Sequence, residues 1–331
     1  MAKSEDQKIV ILAIWDILRM YSDEEHPMST MELSERLYEH GIAAGRKTIY
    51  EDIELLNKYG YEILTVKSRS NLYYVVDRKF DVAELKILLD TIQTANFITE
   101  KKTKELTEKV ASLAGFHRAK LLTKNIVYSD MVKHSNEKVY YFVDEIDRAI
   151  LNGKKVAFLY FDMDCHGQRT YRRNGEKYIV NPVSLIFNEN KYYLTCYNDK
   201  YKNLSNYRID RMDKVEITDE PVTPADCALN FNANVHKKQS FSMFIGEKTE
   251  KVTFSVSDKI LDEIFDRFGE KTKFIKNGDG YYKFSTTINI SPTFFGWCAQ
   301  LGDKIKILAP ESVAESYKNY IKRIVSLYEN D

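Results

Sequence analysis

The chain has 331 residues, and its 49 Lys+Arg balance 49 Asp+Glu, which excludes a uniformly basic protein but not local segregation of charge. With 44% hydrophobic and 30% charged residues it is not disordered by composition, and 6 Pro and 13 Gly exclude collagen-like and low-complexity classes. The length suggests two or three domains. The apolar run at 9–15 is far short of the roughly 20 residues that cross a bilayer. No signal peptide is expected, because charged, apolar and small-residue regions do not occur in that order. Cys165, Cys196, Cys227 and Cys298 show no C-x-x-C spacing, so a reducing cytoplasm is the expected compartment, with no membrane partner.

Residues 1–20 read as a helix, with Ile14, Leu18 and Tyr21 at helical spacing. After the breaker His26-Pro27, Ser29 or Thr30 caps a second helix, with Glu32 or Glu35 suited to its first turn and Leu33 and Leu37 on its apolar face. Gly41 ends it. A third helix spans 46–58, with Ile49, Ile53 and Leu56 inward. Two β-rich runs, 62–66 and 72–76, flank a polar tip at 67–71 and form a hairpin.

This order is the layout of a winged helix-turn-helix, in which the third helix enters the major groove of DNA and the hairpin is the wing. Arg46, Lys47, Thr48 and Tyr50 on the helix, and Lys67 and Arg69 on the wing, are suited to phosphates and base edges. Against this, residues 1–80 carry 11 Lys+Arg and 14 Asp+Glu, including Glu51, Asp52 and Glu54 within the reading helix. A DNA-binding domain is usually basic, but the charge here is segregated: residues 43–50 hold only Arg46 and Lys47, the wing tip holds only Lys67 and Arg69, and the acids crowd into 23–39 and 51–54. The competing reading is a helical protein-interaction domain.

From 80 to about 122 the chain reads as helical, with Asp81 capping a run that carries Leu85, Leu88, Leu89 and Ile92. A charged interval at 100–105 follows, then Leu106, Val110 and Leu113. Such a connector suits a dimer interface or packing on its own chain. A helix at 141–151, with Val143, Ile146 and Ile150 inward, precedes a β-rich region. Five short strands with tight turns there suggest a strongly bent sheet or partial barrel.

Residues 154–215 hold 12 Lys+Arg against 7 Asp+Glu, interleaved with tyrosines. Cations beside aromatic faces suit an anionic ligand with a stackable ring, such as a nucleotide or single-stranded nucleic acid. The competing reading is a solvated sheet face with half-buried tyrosines. The run 162–166 (Asp-Met-Asp-Cys-His) reads as a polar hairpin tip rather than a metal site, since no second cluster supplies the ligands that zinc needs. A stretch with Pro221 and Pro224 and few large apolar residues reads as a linker. Beyond it the order β-α-β-β-α-β over 248–331 is ferredoxin-like, with a hairpin turn at 277–280 and Pro310 at the start of the last helix. Phe295 and Trp297 read as core.

Lys191-Tyr192-Tyr193-Leu194 resembles the Trp-Tyr-Leu signature of WYL domains, with Tyr192 at the Trp position, and Tyr207-Arg208-Ile209-Asp210-Arg211-Met212 resembles that family's second signature. Pro182 and Tyr160 fit the same pattern. The run 46–53 is similar to the reading helix of the winged heads attached to such domains, although those heads usually carry a basic residue where this chain has Glu51. The C-terminal segment resembles the extension that follows many WYL domains. The resemblance implies a bacterial transcription regulator, often a homodimer, in circuits such as DNA-damage response or phage defence. It further implies an Sm-like β-barrel that senses a nucleotide or single-stranded nucleic acid. By motif position, Tyr193, Arg208 and Arg211 are the ligand-site candidates, followed by Tyr160 and Arg173, with Asp210 positioned to orient a neighbouring arginine.

The expected organisation is α+β and multidomain: a winged helix-turn-helix (1–79), a helical connector (80–139), the WYL domain (140–218), a linker (219–247) and the C-terminal extension (248–331). The expected partner is double-stranded operator DNA, with no cofactor and no metal. An enzyme acting on nucleotides is disfavoured, because neither G-x-S-x-G nor a P-loop motif occurs. A protein that modulates another protein without binding DNA is the remaining alternative.

Overall fold

Val10, Ile14, Ile17 and Leu18 recur at helical spacing and are buried on α1 (Ala2–Tyr21). The computed structural model describes residues 2–95, 97–124, 138–246 and 248–329, without the side chains of 2–7, and divides into units at Met1–Glu137 and Lys138–Asp331. Four expected spans reach beyond the described residues: the winged head at residue 1, the connector at 96 and 125–137, the linker at 247, and the C-terminal extension at 330–331.

In the first unit, β1 (Met28–Ser29) leads into α2 (Thr30–Glu39). Ser29 is the N-cap, its hydroxyl accepting from the Glu32 amide while the Glu32 carboxylate accepts from the Ser29 amide. Next come α3 (Arg46–Lys58), β2 (Ile63–Lys67) and β3 (Asn71–Val75). The antiparallel sheet has order β1-β3-β2, and its two-residue first strand escaped the sequence reading. Leu33 and Leu37 from α2, Ile49, Ile53 and Leu56 from α3, and Tyr73 and Val75 from β3 close one core with α1. Arg78 caps the end of α1, donating to the carbonyls of Ser22 (2.8 Å) and Arg19.

The rest of this unit is α4 (Val82–Thr94), capped by Asp81, then α5 (Glu100–Ser112) and α6 (Phe116–Lys124). The charged interval at 100–105 is helical. Thr99 caps it, accepting from the Lys102 amide, and it forms the start of α5. The fully buried residues of α5 are Thr103, Thr107 and Ala111, Val110 packs partly buried against the same core and Leu113 is exposed, with Gln93 Nε2 donating to Thr107 Oγ1 at 3.1 Å. On α4, Leu85 and Leu89 are buried, whereas Leu88 is exposed.

The second unit opens with α7 (Val139–Leu151), which buries Phe142, Ile146 and Ala149, a face rotated from the expected Val143 and Ile150. Its sheet comprises β4 (Lys154–Met163), β5 (Arg169–Tyr171), β6 (Tyr178–Asn188), β7 (Lys191–Asn198), β8 (Asn203–Arg208) and β9 (Met212–Pro221). The order is β5-β4-β6-β7-β8, with β9 also paired to β4 and every pairing antiparallel. Register shifts in the β4–β9 and β6–β7 pairs bend this six-stranded sheet into a half-barrel. Glu189 and Asn190, both at positive φ, make the two-residue turn between β6 and β7.

The expected linker is folded. β9 runs to Pro221, and α8 (Asp226–Leu229) and α9 (Ala233–Gln239) follow. Phe241 then enters the C-terminal core, and Met243 enters a cluster with Ile186 and Tyr193. The C-terminal part holds β10 (Lys248–Ser257), α10 (Leu261–Phe268), β11 (Ile275–Lys276), β12 (Tyr281–Ile290), α11 (Pro292–Gln300), β13 (Ile305–Ala309) and α12 (Glu311–Val325). Its antiparallel sheet has order β11-β12-β10-β13. Pro310 sits just before α12, as its N-cap. Phe295 is buried, and Trp297 packs against Phe241, Phe254 and Phe268. Among the described residues no helix is long and apolar enough to cross a membrane.

Candidate functional site

The half-barrel carries a cavity of about 610 Å³. Its lining gathers Tyr160 from β4, Lys191 and Tyr193 from β7, Arg208 from the end of β8, and Arg211 from the 3-10 turn that follows. Two strands and one turn thus deliver three cations to the lining, opposed among the described lining residues by Glu189 alone. The volume is in the range of small-ligand sites.

Each cation is held differently. Arg208 and Tyr193 are directly opposed residues of the β7–β8 pair. The Arg208 guanidinium grips Asp210 with two hydrogen bonds, Nε to Oδ1 at 3.1 Å and the second nitrogen to Oδ2 at 2.6 Å. The Asp210 side chain is only 3% exposed and that of Arg208 is 24% exposed. Burial works against the Arg208 charge, and the Asp210 carboxylate more than restores it. The Arg208 backbone amide donates to the Tyr160 hydroxyl at 3.2 Å, and burial raises that phenol's pKa. Arg211 is looser, at 3.4 Å from Asp162. Asp162 is itself bonded by Arg172 through two nitrogens at 2.6 and 2.9 Å, and those bonds hold its pKa below the usual carboxylate value. Arg211 therefore presents a fork less committed than that of Arg208.

Arg173 lies apart from the cavity lining. Its backbone is left-handed (φ 51°) and its guanidinium covers the Tyr178 ring at 3.9 Å. Tyr193 and Tyr160 line the cavity but are each only 6% exposed, so neither offers the open stacking face that the sequence suggested. The run 162–166 is the end of β4 and the turn that follows it, in which Asp164 Oδ1 accepts from the His166 and Gln168 amides.

Sequence reasoning missed the second wall, residues 242–246. Asn206 ties this wall to β8: its Oδ1 accepts from Thr195 Oγ1 (2.7 Å) and its Nδ2 donates to the Met243 carbonyl (2.7 Å). Nδ2 also lies 3.1 Å from His236 Nε2. Burial lowers the His236 pKa and favours the neutral ring, whose Nε2 can accept that bond. The signal was present in the crowd Phe241, Met243, Phe244 and Ile245 at the end of a stretch otherwise poor in large apolar residues.

In the first unit, Arg46 and Lys47 are exposed at the start of α3, and Thr48 is half-buried. Arg46 Nε donates to the Tyr50 hydroxyl at 3.0 Å, lowering that phenol's pKa. Tyr50 also packs against the core, so it is not a purely outward residue. Lys67 and Arg69 are exposed at the hairpin tip. Of the three acids on this helix, Asp52 is buried, and Glu51 lies 3.7 Å from Lys47. The outward negative charge is therefore less than the sequence suggests.

The model of the WYL domain matches residues 141–217, and that of the WCX domain matches residues 248–325. Among curated proteins none matches significantly. Among solved structures, the chain is similar to proteasome accessory factor B/C (PafBC) of Arthrobacter aurescens, with 18% identity and a TM-score of 0.28, covering 96% of this chain and 48% of that one. The chain thus spans about half the length of PafBC. It is also similar to a CRISPR Cas-related protein, with 15% identity and a TM-score of 0.36, covering 98% of this chain and 86% of that one. The two domain matches cover these segments of the chain only, and the whole-chain likenesses carry no further assignment.

Proposed function

We propose that this protein, with its WYL domain followed by a WCX domain, is a DNA-binding transcription regulator and not an enzyme. In this reading the WYL half-barrel senses an anionic ligand, a nucleotide or single-stranded nucleic acid, and the ligand alters operator binding. The observation that carries the reading is the cavity wall formed by Lys191, Arg208 and Arg211. Arginine forks give bidentate contacts to phosphate, and a pocket whose described lining sets three cations against one carboxylate favours an anion.

Residues 1–79 act as a winged helix-turn-helix, with α3 as the reading helix and the β2–β3 hairpin as the wing. Arg46, Lys47, Thr48 and Tyr50 would meet the major groove, and Lys67 and Arg69 the adjacent backbone. The half-barrel is Sm-like and the C-terminal part ferredoxin-like, a reading supported by the β-α-β-β-α-β order and the β11-β12-β10-β13 sheet. The regulator works in the cytoplasm as a homodimer. Support for the dimer comes from α4 and α6, which leave Ile87 67% and Leu121 59% exposed.

Calorimetry with mononucleotides and short single strands tests the sensing half. The expected result is saturable binding that weakens tenfold or more in Arg211→Ala, since a charge-assisted bond is worth roughly 1.5–3 kcal/mol. Binding of neither probe would refute it. The competing reading, a modulator of another protein, rests on the acidic balance of residues 1–80. Failure of the protein to shift its own promoter region would favour it.

A further inference from the structure

The anionic-ligand reading explains one wall of the cavity but leaves the ligand's rings without a partner. Three aromatic residues line the cavity: Tyr160, Tyr193 and Phe244. The faces of the first two are spent. Tyr160 packs among Phe158, Tyr178 and Tyr207 at centroid distances of 5.2–6.3 Å, and Tyr193 is covered by Ile186 and Met243. Phe244 is 49% exposed. An apolar ring half in water beside a cationic wall is a surface that an incoming ring would cover with gain.

The backbone that carries Phe244 is fixed on both sides. The turn is closed by the Phe244 amide donating to the Phe241 carbonyl at 3.0 Å, and two of its residues are anchored: Phe241, at its start, in the C-terminal core and Met243, within it, in the cluster with Tyr193. Ser242 and Met243 hold left-handed conformations (φ 48° and 55°). The Asn206 side chain clamps the Met243 carbonyl. At Gly246 a Cβ would fall 1.9 Å from the Ile290 carbonyl oxygen, so only glycine permits this approach to β12. A ring placed by such a braced turn is a platform that need not be ordered when a ligand arrives.

We propose that Phe244 is the stacking platform for the base of a nucleoside phosphate, free or within a strand, whose phosphate is held by Arg208 and Arg211. The site is then composite, with cations from the WYL sheet and the aromatic face from the segment that joins it to the WCX domain. This rests on the anionic-ligand reading, and the test separates the two.

The probes are a short 5′-phosphorylated oligo(dT), an abasic strand of the same length and phosphorylation, and dTMP. Affinities are measured by calorimetry on the full chain. Phe244→Ala is expected to weaken oligo(dT) binding by about fivefold to 150-fold, the factor that corresponds to base–aromatic stacking. The abasic strand should bind wild type and variant alike. Phe244→Leu should lose as much as Phe244→Ala, because it keeps apolar bulk but no π-face, whereas Phe244→Trp should retain binding. Arg211→Ala should weaken both strands. Stacking on dTMP alone marks a free nucleotide as the ligand, and stacking on oligo(dT) alone marks a strand; either result supports the proposal. Equal losses on the base-bearing and abasic strands would overturn it, because Phe244 would then only shape the turn. No loss on either would also overturn it. If wild type binds none of the three probes, the underlying ligand reading fails first.

Discussion

Removing Arg208 is expected to damage the fold as well as the site, whereas removing Arg211 damages the site alone. The Arg208–Asp210 pair has two hydrogen bonds, at 3.1 and 2.6 Å, and its carboxylate is 3% exposed. Breaking a buried ion pair by deleting one partner costs about 3–5 kcal/mol, and the 24% exposure of Arg208 moves the expectation to roughly 2–4 kcal/mol. Arg211 and Asp162 are 37% and 42% exposed at 3.4 Å, and Asp162 keeps both Arg172 bonds when Arg211 is lost. A pair of that kind is worth about 0–1 kcal/mol. Urea unfolding of the full chain, followed by far-UV circular dichroism and tryptophan fluorescence, reads both values. A cycle with Asp210→Ala and the double variant isolates the coupling. Arg208→Ala should lower the midpoint clearly. Arg211→Ala should leave it in place while ligand affinity falls tenfold or more. Tyr193→Phe, which keeps its buried ring, should change both least. Equal midpoint losses for the two arginine variants, or none for Arg208→Ala, would refute the division of roles.

On DNA, Arg46→Ala with Lys47→Ala should lower operator affinity and reduce the salt slope by about two, read by anisotropy across a salt series, with the unfolding midpoint barely moved. Asp52 is buried, and burial and Glu51 raise its pKa, so the folded state binds that proton more readily than the unfolded chain. The charged carboxylate therefore destabilises the fold at neutral pH, and the penalty is relieved as pH falls through the raised value. Asp52→Asn should be more stable than wild type at pH 7, with the gap closing toward pH 4 in urea melts. Met243→Ala should cost about 2–5 kcal/mol in the same melts, because it empties the cluster that holds the second cavity wall.

Where burial follows a simple period, the sequence was sufficient. Ile49, Ile53 and Leu56 lie inward on α3, and of the caps the sequence left open, Ser29 or Thr30 with Glu32 or Glu35, the Ser29–Glu32 box is the one that starts α2. The face of α5 was hidden because it is packed by Thr103, Thr107 and Ala111, small residues that hydropathy does not mark. The α7 face was misread because Val143 and Ile150 are as apolar as the Phe142 and Ala149 that are buried. At the site, motif position singled out Tyr160, Tyr193, Arg208 and Arg211, which share one cavity lining. It could not set Arg173 apart, since that depends on a left-handed turn that swings the guanidinium over Tyr178. Nor could it reveal the wall at 242–246. Two prolines and a polar composition suggest a linker, but the three apolar side chains that matter there work on different partners: Phe241 on one core, Met243 on another, and Phe244 on the cavity.

The central claim is that a ligand in the WYL cavity changes how the protein holds DNA. Anisotropy of a labelled duplex from the region upstream of the protein's own gene, with and without a short 5′-phosphorylated single strand or a mononucleotide, tests it most directly. The account predicts saturable duplex binding whose affinity shifts by about fivefold or more when one of these ligands is added. In Arg211→Ala the duplex affinity should persist and the shift should vanish. Duplex binding that no nucleotide or strand can move, or no duplex binding at all, would contradict it.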